Sequence, residues 1–329
     1  MSGRTTGDWR KPLRHDPIPP LLSCGNPAIE YFAKRDLLNQ RVESVKDLWS
    51  LEIAERILGK QQPDGSWKYK NGNYRIRSPQ NYDQLETYRV LRVLVEKYGL
   101  VREHPAIEKA AEFLFGFQTS DGDLRGIYGN QYSPNYTAGI MELLIKAGYI
   151  EDPQIEKGFG WLLSIRQKDG GWAIPLRTIN ANLSTMTMKS RTIEPERSKP
   201  SSWLVTGVVL RAFTAHPGYR KSREATAAGK ILKSRLFKRD SYPDRGTVEY
   251  WTRFTFPFWF TDLLSALDSL SKLGLGSGDS DIAVGLEWFF KAQQPTGQWK
   301  LKILNSGGDR DTHLWIDLAI CRLIKRFDA

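Results

Sequence analysis

The chain has 329 residues, a formal net charge of +11, 40% hydrophobic residues and 26% charged residues. This composition excludes a disordered chain, two cysteines exclude a disulfide scaffold, and no apolar run is long enough for a transmembrane helix. The first twenty residues lack the apolar core of a secretory signal, so we expect a cytoplasmic protein. The excess of basic residues suits nucleic acid, an anionic membrane surface or a phosphorylated ligand, and charge alone does not choose among them.

Four similar segments punctuate the chain: QQPDGSW ending at Trp67, QTSDGDL ending at Leu124, RQKDGGW ending at Trp172 and QQPTGQW ending at Trp299. Each segment follows a run whose apolar residues recur at helical spacing. The Asp-Gly or Thr-Gly step then favours a turn with positive φ. The pattern predicts a helix stopped by a turn, repeated along the chain, with a decayed copy around Gly246.

A second set of less charged helical runs lies between these turns, and each run has an aromatic residue near its start. The aligned aromatic residues are Tyr31, Tyr82, Tyr136, Trp203, Trp259 and Trp315. Repeated helical hairpins either stack as an open solenoid or close into a ring, and two sets of unequal charge favour an inner and an outer shell. We therefore predict an all-α fold, an α/α toroid with about six inner and five to six outer helices.

The sequence also predicts the limits of this unit. Residues 1–25 precede the first inner helix and are predicted to form an N-terminal extension. Residues 26–329 are predicted to form a single toroid domain. The polar stretch at 173–200 lengthens the spacing between two inner helices, so it is predicted to be a long surface loop.

The Gln-x-x-Gly-x-Trp turns resemble the QW motifs of squalene-hopene cyclases and related terpenoid cyclases, whose α/α-toroid fold is shared by protein prenyltransferase β subunits. The stretch CGNPAIEYFAKRDLL is also similar to small bacterial and archaeal proteins of this superfamily. The resemblance covers nearly the whole chain. It implies an apolar, isoprenoid-type ligand held in a central cavity.

The resemblance further implies an Asp-x-Asp-Asp cluster as the acid that starts cyclisation. The nearest sequence is Asp-Arg-Asp-Thr at residues 309–312, in which the second aspartate is Asp311. His313 follows this sequence directly. From the residues themselves, Asp262 and Asp317 are notable because they interrupt otherwise apolar helices, where an unpaired carboxylate is costly. These four residues are the candidate acids or bases. The alternative for Asp262 and Asp317 is that they form structural salt bridges that close the ring. The alternative for Asp311 is a solvated, charged helix entrance, where an aspartate is favourable.

Aromatic residues at the starts of the inner helices are expected to lie at one level around the ring. Their faces can stabilise cations, or they can form an apolar pocket for a hydrocarbon chain. The alternative is ordinary packing between helices. The candidate substrate-binding residues are Tyr31, Tyr82, Tyr136, Trp203, Trp251, Arg253, Phe256, Trp259 and Trp315.

No metal site or cofactor is predicted, because His313 and Cys321 stand about 12 Å apart along one helix, too far for one zinc ion. Three functions remain open: a terpenoid cyclase-like enzyme, a non-catalytic toroid that binds a lipid or a protein, and a nucleic-acid-binding protein. The last ranks lowest, because no recognition motif accompanies the basic run RKSREATAAGKILKSRLFKR. We therefore expect an apolar small molecule or lipid, with or without a phosphate group, and peripheral contact with an anionic membrane.

Overall fold

A computed structural model describes residues 8–69, 80–181, 191–304 and 310–328. Its two strands, β1 (Arg253–Phe254) and β2 (Lys302–Ile303), form one parallel pair. The rest of the regular structure is helical, including a π-helical turn at Ala33–Leu37 and 3₁₀ turns at Val45–Ser50, Tyr219–Lys221 and Val248–Thr252. The α-helices of the described ranges are α1 (Ile18–Leu22), α2 (Pro27–Phe32), α3 (Glu52–Leu58), α4 (Tyr82–Tyr98), α5 (Pro105–Phe115), α6 (Pro134–Lys146), α7 (Pro153–Ser164), α8 (Pro175–Thr178), α9 (Trp203–Ala215), α10 (Arg223–Ser234), α11 (Leu263–Lys272), α12 (Ser280–Ala292) and α13 (Thr312–Asp328).

The helices form two concentric shells. The inner helices α2, α4, α6, α9, α11 and α13 each contact the next in chain order, and α13 contacts α2, so the inner ring is closed. The outer helices α3, α5, α7, α10 and α12 pack against it. The predicted α/α toroid is therefore confirmed. We call the space enclosed by the six inner helices the lumen.

Burial explains why the two shells differ in charge. Every residue of α9 except its last is buried, so a run such as WLVTGVVLRAFTA is surrounded on all sides. The outer helix α10 buries only a stripe of four residues, Ala225, Ala228, Gly229 and Leu232, and presents its charges to solvent. None of the helices within the described ranges combines the length and apolarity needed to cross a bilayer.

The turn tryptophans act as braces. Each indole Nε1 donates a hydrogen bond to a carbonyl of the outer helix or loop before its turn, which satisfies a group that the helix end leaves unpaired. The decayed fourth copy retains this bond through Trp251, although its turn sequence differs. The pairs are Trp67 to Ile57 at 2.8 Å, Trp172 to Leu162 at 2.6 Å, Trp251 to Lys238 at 2.9 Å and Trp299 to Phe289 at 2.8 Å.

The turn glutamines link neighbouring repeats. The side-chain amide of Gln61 donates to the Gly65 carbonyl of its own turn and to the Ala106 carbonyl at the start of α5. Gln293 donates in the same way to Gly297 and to the carbonyl of His15. The segment before α1 therefore occupies, at the last turn, the position that an outer helix occupies elsewhere.

Polar contacts join the first and last inner helices. The side-chain amide of Asn26 donates to Asp311 at 2.7 Å, and Arg322 forms an ion pair with Asp36 at 2.5 Å. In the loop predicted at 173–200, α8 is held to the second half by a bond from the Glu196 amide to the Thr178 hydroxyl. Residues 182–190 of that loop lie outside the described residues.

Candidate functional site

An aromatic segment, residues 255–261, lies inside the lumen. Arg92 of α4 donates a hydrogen bond to the carbonyl of Pro257. Arg211 of α9 reaches the carbonyl of Phe260 at 3.4 Å. Phe256 stacks on Trp315 of α13, with ring centres 5.7 Å apart. Because these three helices stand on different sides of the ring, a segment that contacts all of them must cross its interior.

The rings of this segment join aromatic residues of the inner helices. The ring centre of Trp259 lies 5.1 Å from that of Tyr88 and 6.1 Å from that of Tyr136. The ring centres of Tyr136 and Tyr128 are 5.2 Å apart. We call Tyr88, Tyr128, Tyr136 and Trp259 the lumen cluster. Tyr88 is buried, but Tyr128, Tyr136 and Trp259 are only half-buried, as are Phe256 and Phe258. Each of these residues keeps part of its surface accessible inside the ring, so neighbouring side chains do not close over the cluster completely.

The predicted aromatic residues do not lie at one level. In three repeats the backbone N–H of the turn residue donates to a threonine of the following inner helix, and this bond sets the register between the shells. Trp67 donates to Thr87 and Leu124 donates to Thr137, at 3.0 and 3.1 Å. Tyr82 lies five residues before Thr87, whereas Tyr136 lies directly before Thr137. The expectation of one level is therefore wrong, because the inner helices start at different points relative to this bond.

Several predicted substrate-binding residues lie away from the lumen cluster. Trp203 and Trp251 are buried and stack on each other, with ring centres 4.0 Å apart, so Trp251 belongs to the brace of the fourth repeat. Tyr82 packs beside Tyr69. The remaining two are Tyr31, which contacts Phe32, and Arg253, whose guanidinium lies over Tyr250.

Asp317 occupies a position at which other repeats have threonine. Its Oδ1 accepts the backbone N–H of Trp299 at 3.3 Å, as the hydroxyl of Thr206 accepts that of Trp172 at 3.0 Å. The side chain is buried, and Oδ2 has no hydrogen-bond partner among the described residues. Burial raises the pKa of Asp317 to about 7, although the bond from Trp299 opposes the shift. Asp317 therefore faces the last turn.

Asp262 begins α11 directly after the aromatic segment. Its Oδ1 accepts the backbone N–H of Ser265 at 2.8 Å, and the Ser265 hydroxyl accepts the backbone N–H of Asp262 at 2.9 Å, which forms a capping box. Burial raises the pKa of Asp262 to about 6, against the bonds to Ser265 and the nearby charge of Arg211. Oδ2 is buried and unpartnered in the described part of the chain. Of the four predicted acids, Asp262 adjoins the segment that enters the lumen.

The other two predicted acids lie at the seam between α2 and α13. Asp311 accepts a hydrogen bond from Asn26, so this carboxylate helps to close the ring. His313 is exposed as the second residue of α13.

A group of charged residues lines the lumen beside the aromatic segment. This group was not predicted from the sequence. Glu142 pairs with Arg211 at 2.8 Å and with Lys146 at 2.7 Å, and Lys146 also pairs with Glu96 at 2.5 Å. Burial opposes ionisation of Glu142, but these two cations lower its pKa to about 2. The group is completed by Arg92 of α4. The available signal was a lone charge in an apolar inner helix, such as Arg211 in α9.

Cationic side chains cover aromatic faces in the lumen. The guanidinium carbon of Arg92 lies 4.5 Å from the centre of the Trp259 ring, and the Lys97 ammonium lies 5.5 Å from that of Trp315. A further cation on the far face of Trp259 would be about 8 Å from Arg92, where repulsion is about 2 kcal/mol at an effective dielectric constant of about 20. That repulsion cancels the roughly 0.5–2 kcal/mol that one aromatic face supplies.

Two cavities lie outside the lumen. One of about 430 Å³ is lined by Tyr132, Trp161 and Glu194, among others, between α7 and the following loop. The other, of about 450 Å³, is lined by residues of α5 and of the connection between α6 and α7. No predicted site residue lines either cavity, so both are separate from the lumen.

Comparison with known proteins relates part of this chain to squalene-hopene cyclases. Residues 79–194 match the family model of the squalene-hopene cyclase C-terminal domain. A probable squalene-hopene cyclase of Sinorhizobium fredii (strain NBRC 101917 / NGR234) is 23% identical over 180 residues, which cover 53% of this chain and 27% of that protein. The predicted relationship to the terpenoid cyclase superfamily is confirmed. The chain matches only about a quarter of the length of that relative.

Two solved structures are similar at low sequence identity. A protein from Actinoplanes is 17% identical with a TM-score of 0.43, and the match covers 87% of this chain and 88% of that chain. A variant of the type II terpene cyclase MstE from Scytonema, in complex with its substrate geranylgeranyl dihydroxybenzoate, is 13% identical with a TM-score of 0.42. This match covers 86% of this chain and 97% of that chain.

Proposed function

We propose that this protein binds an apolar, isoprenoid-type ligand in its lumen, against the lumen cluster and the aromatic segment. The observation that carries the proposal is the partial exposure of Tyr128, Tyr136, Phe256, Phe258 and Trp259 inside a closed ring of helices. Apolar rings next to open space gain stability when a hydrocarbon chain replaces water. The match to a squalene-hopene cyclase domain supports an isoprenoid as the chain.

Trp259→Ala should weaken binding of a C20 prenyl alcohol by about tenfold or more, because the indole has the largest face in the lumen cluster. Binding can be followed by isothermal titration calorimetry. Trp49→Ala is the matched control, since Trp49 is half-buried in the outer shell beside His104. Equal affinities of the two variants would contradict a site at the lumen cluster. Failure of the unaltered protein to bind any prenyl alcohol between C10 and C30 would contradict the proposed function itself.

A second candidate function is acid-catalysed chemistry on that ligand, carried by Asp262. Its carboxyl has an unpartnered Oδ2 among the described residues, and its raised pKa keeps part of the population protonated near neutral pH. Such a group can donate a proton to an alkene or epoxide of a bound substrate. Loss of a proton from a carbon next to the cationic centre then gives a neutral product, and the Asp262 carboxylate left by the first step can take up that proton. The alternative is a non-catalytic toroid in which Asp262 only caps α11.

Asp262→Asn should abolish any conversion of a panel of prenyl substrates while it leaves ligand affinity within about twofold. Asparagine also caps helices well, so α11 should persist. The control is Asp240→Asn, another buried carboxylate that accepts bonds from Ser202 and Leu204 at the start of α9. Product analysis by mass spectrometry measures the outcome. Conversion that survives in Asp262→Asn would show that Asp262 is not the acid. Absence of conversion in the unaltered protein would favour the non-catalytic alternative.

A further inference from the structure

The aromatic faces in the lumen are already in contact with cations of the protein itself. Arg92 covers Trp259 and also lies 5.7 Å from the ring centre of Tyr88. Arg211 lies 5.9 Å from the ring centre of Phe258. Aromatic faces that already contact a cation do not offer a favourable site to a positively charged head group, because the neighbouring cations repel it. The electrostatic environment of the lumen favours a negative group.

Arg92 differs from the other buried charges beneath the aromatic segment. Arg211, Lys146, Glu142 and Glu96 form a chain of ion pairs, whereas Arg92 has no carboxylate within ion-pair distance in the described ranges. Both Glu142 and Glu96 are engaged by Arg211 and Lys146, so the charge of Arg92 is in excess of its direct partners among the described residues. A buried charge without a counterion is costly, so the excess charge calls for an anion.

The hydrogen bonds of Arg92 are also incomplete. Its Nη2 donates to the carbonyl of Pro257, but its buried Nε has no partner among the residues that the structure describes. Burial lowers the pKa of Arg92 to about 10, so the guanidinium remains charged at neutral pH. The side chain keeps 8% of its surface exposed. It lies against the rings of Tyr88 and Trp259, so it adjoins the lumen cluster.

We propose that the ligand of this lumen carries an anionic oxygen head group, a carboxylate or a phosphate, and that Arg92 binds this group while the chain lies against the aromatic rings. This inference rests on the proposed function and specifies its ligand. A guanidinium suits either oxyanion because its N–H groups form charge-assisted hydrogen bonds with two oxygens. A simpler role for Arg92 is to hold the aromatic segment through Pro257, and the test separates the two.

The test compares four ligands that share one C20 prenyl chain and differ in the head group: the alcohol, the carboxylic acid, the monophosphate and the amine. Isothermal titration calorimetry at pH 7.5 gives the four affinities. We expect at least one anionic ligand to bind about tenfold or more tightly than the alcohol, and the amine to bind most weakly. The carboxylate and phosphate arms identify which oxyanion is preferred.

Substitutions of Arg92 then test whether this residue binds the head group. Arg92→Gln retains a donor for Pro257 but removes the charge, so the anionic ligands should lose their advantage and bind within about threefold of the alcohol. Arg92→Lys should keep part of the preference. Arg56→Gln removes an equal charge from the exposed face of α3 and should leave all four affinities unchanged.

The possible results separate the head-group inference, the proposed function and the assignment to Arg92. An unaltered protein that binds the alcohol as tightly as both anions overturns the head-group inference and leaves the proposed function intact. Binding of none of the four ligands overturns the proposed function. A preference for anions that persists in Arg92→Gln overturns the assignment to Arg92. If thermal melting shows that Arg92→Gln is unfolded, the comparison of ligands in the unaltered protein and in Arg92→Lys decides.

Discussion

Asp317→Thr should increase the free energy of unfolding at pH 8 by about 3 kcal/mol, the gain expected when a buried carboxylate loses its charge. The variant restores the residue that other repeats place under the turn, where the Thr206 hydroxyl accepts the Trp172 N–H and donates to the Trp172 carbonyl. Threonine therefore keeps the bond to Trp299 without a buried charge. Urea unfolding followed by tryptophan fluorescence measures the effect.

The pH dependence gives the sharper test. Burial raises the pKa of Asp317 from 3.8 to about 7, so between these values the folded protein binds the proton more firmly than the unfolded chain does. Stability from this group is therefore greatest below about pH 4, falls as pH rises to about 7, and is constant above that. Asp317→Thr should lack this decline, and the difference between the two proteins should grow across the same interval.

Two controls accompany this prediction. Asp317→Asn keeps the size and an acceptor for the Trp299 N–H, and it should also remove the decline with pH. Thr206→Asp is the reciprocal change and should introduce a similar decline into another repeat. Parallel stability profiles of the unaltered protein and Asp317→Thr from pH 5 to 8 would show that Asp317 does not titrate in this range.

Gly297→Ala and Gly65→Ala should each reduce the free energy of unfolding by about 3–5 kcal/mol. Both glycines have φ of +85°, and an added Cβ would stand 2.2 Å from a backbone carbonyl oxygen, that of Asp16 or Lys109 respectively. Backbone of a neighbouring element cannot move aside as a flexible side chain can. The substitution must therefore separate the turn from the element that it braces.

Gly170→Ala is the control because it separates backbone conformation from the close approach. Gly170 also has a positive φ, of +100°, but its nearest neighbour would be a side-chain carbon of Ile231 at 3.4 Å. The left-handed conformation alone should cost about 1–2 kcal/mol. Thermal unfolding of the three variants provides the comparison, and equal losses in all three would rule out the backbone contact as the cause.

The repeat was readable from the sequence because its chemistry is local. A glutamine, a glycine and a tryptophan within seven residues specify a helix end, a turn and a brace, and copies such as those ending at Trp67 and Trp299 share this pattern. The brace at Trp251 was not recognised, because its turn has lost the motif and its bond spans 13 residues where the others span 10.

The interior of the ring was less predictable because it depends on distant contacts. An aromatic run before α11 could line the lumen or cross it, and only Arg92 and Arg211, on helices far away in sequence, fix the second arrangement. Asp317 is buried, and the apolar residues around it do not indicate which side of α13 it occupies. Its hydrogen bond to Trp299 gives that information.

The seam of the ring has a consequence for connectivity. Gln293 holds the backbone at His15 in the same manner as Gln61 holds α5, so the joint between the two ends uses the chemistry of the internal joints. No repeat is then structurally privileged as the starting point of the annulus. A circularly permuted chain, opened between two other repeats and linked across the seam, would retain the same braces, because those braces depend on adjacency in space rather than on order of synthesis.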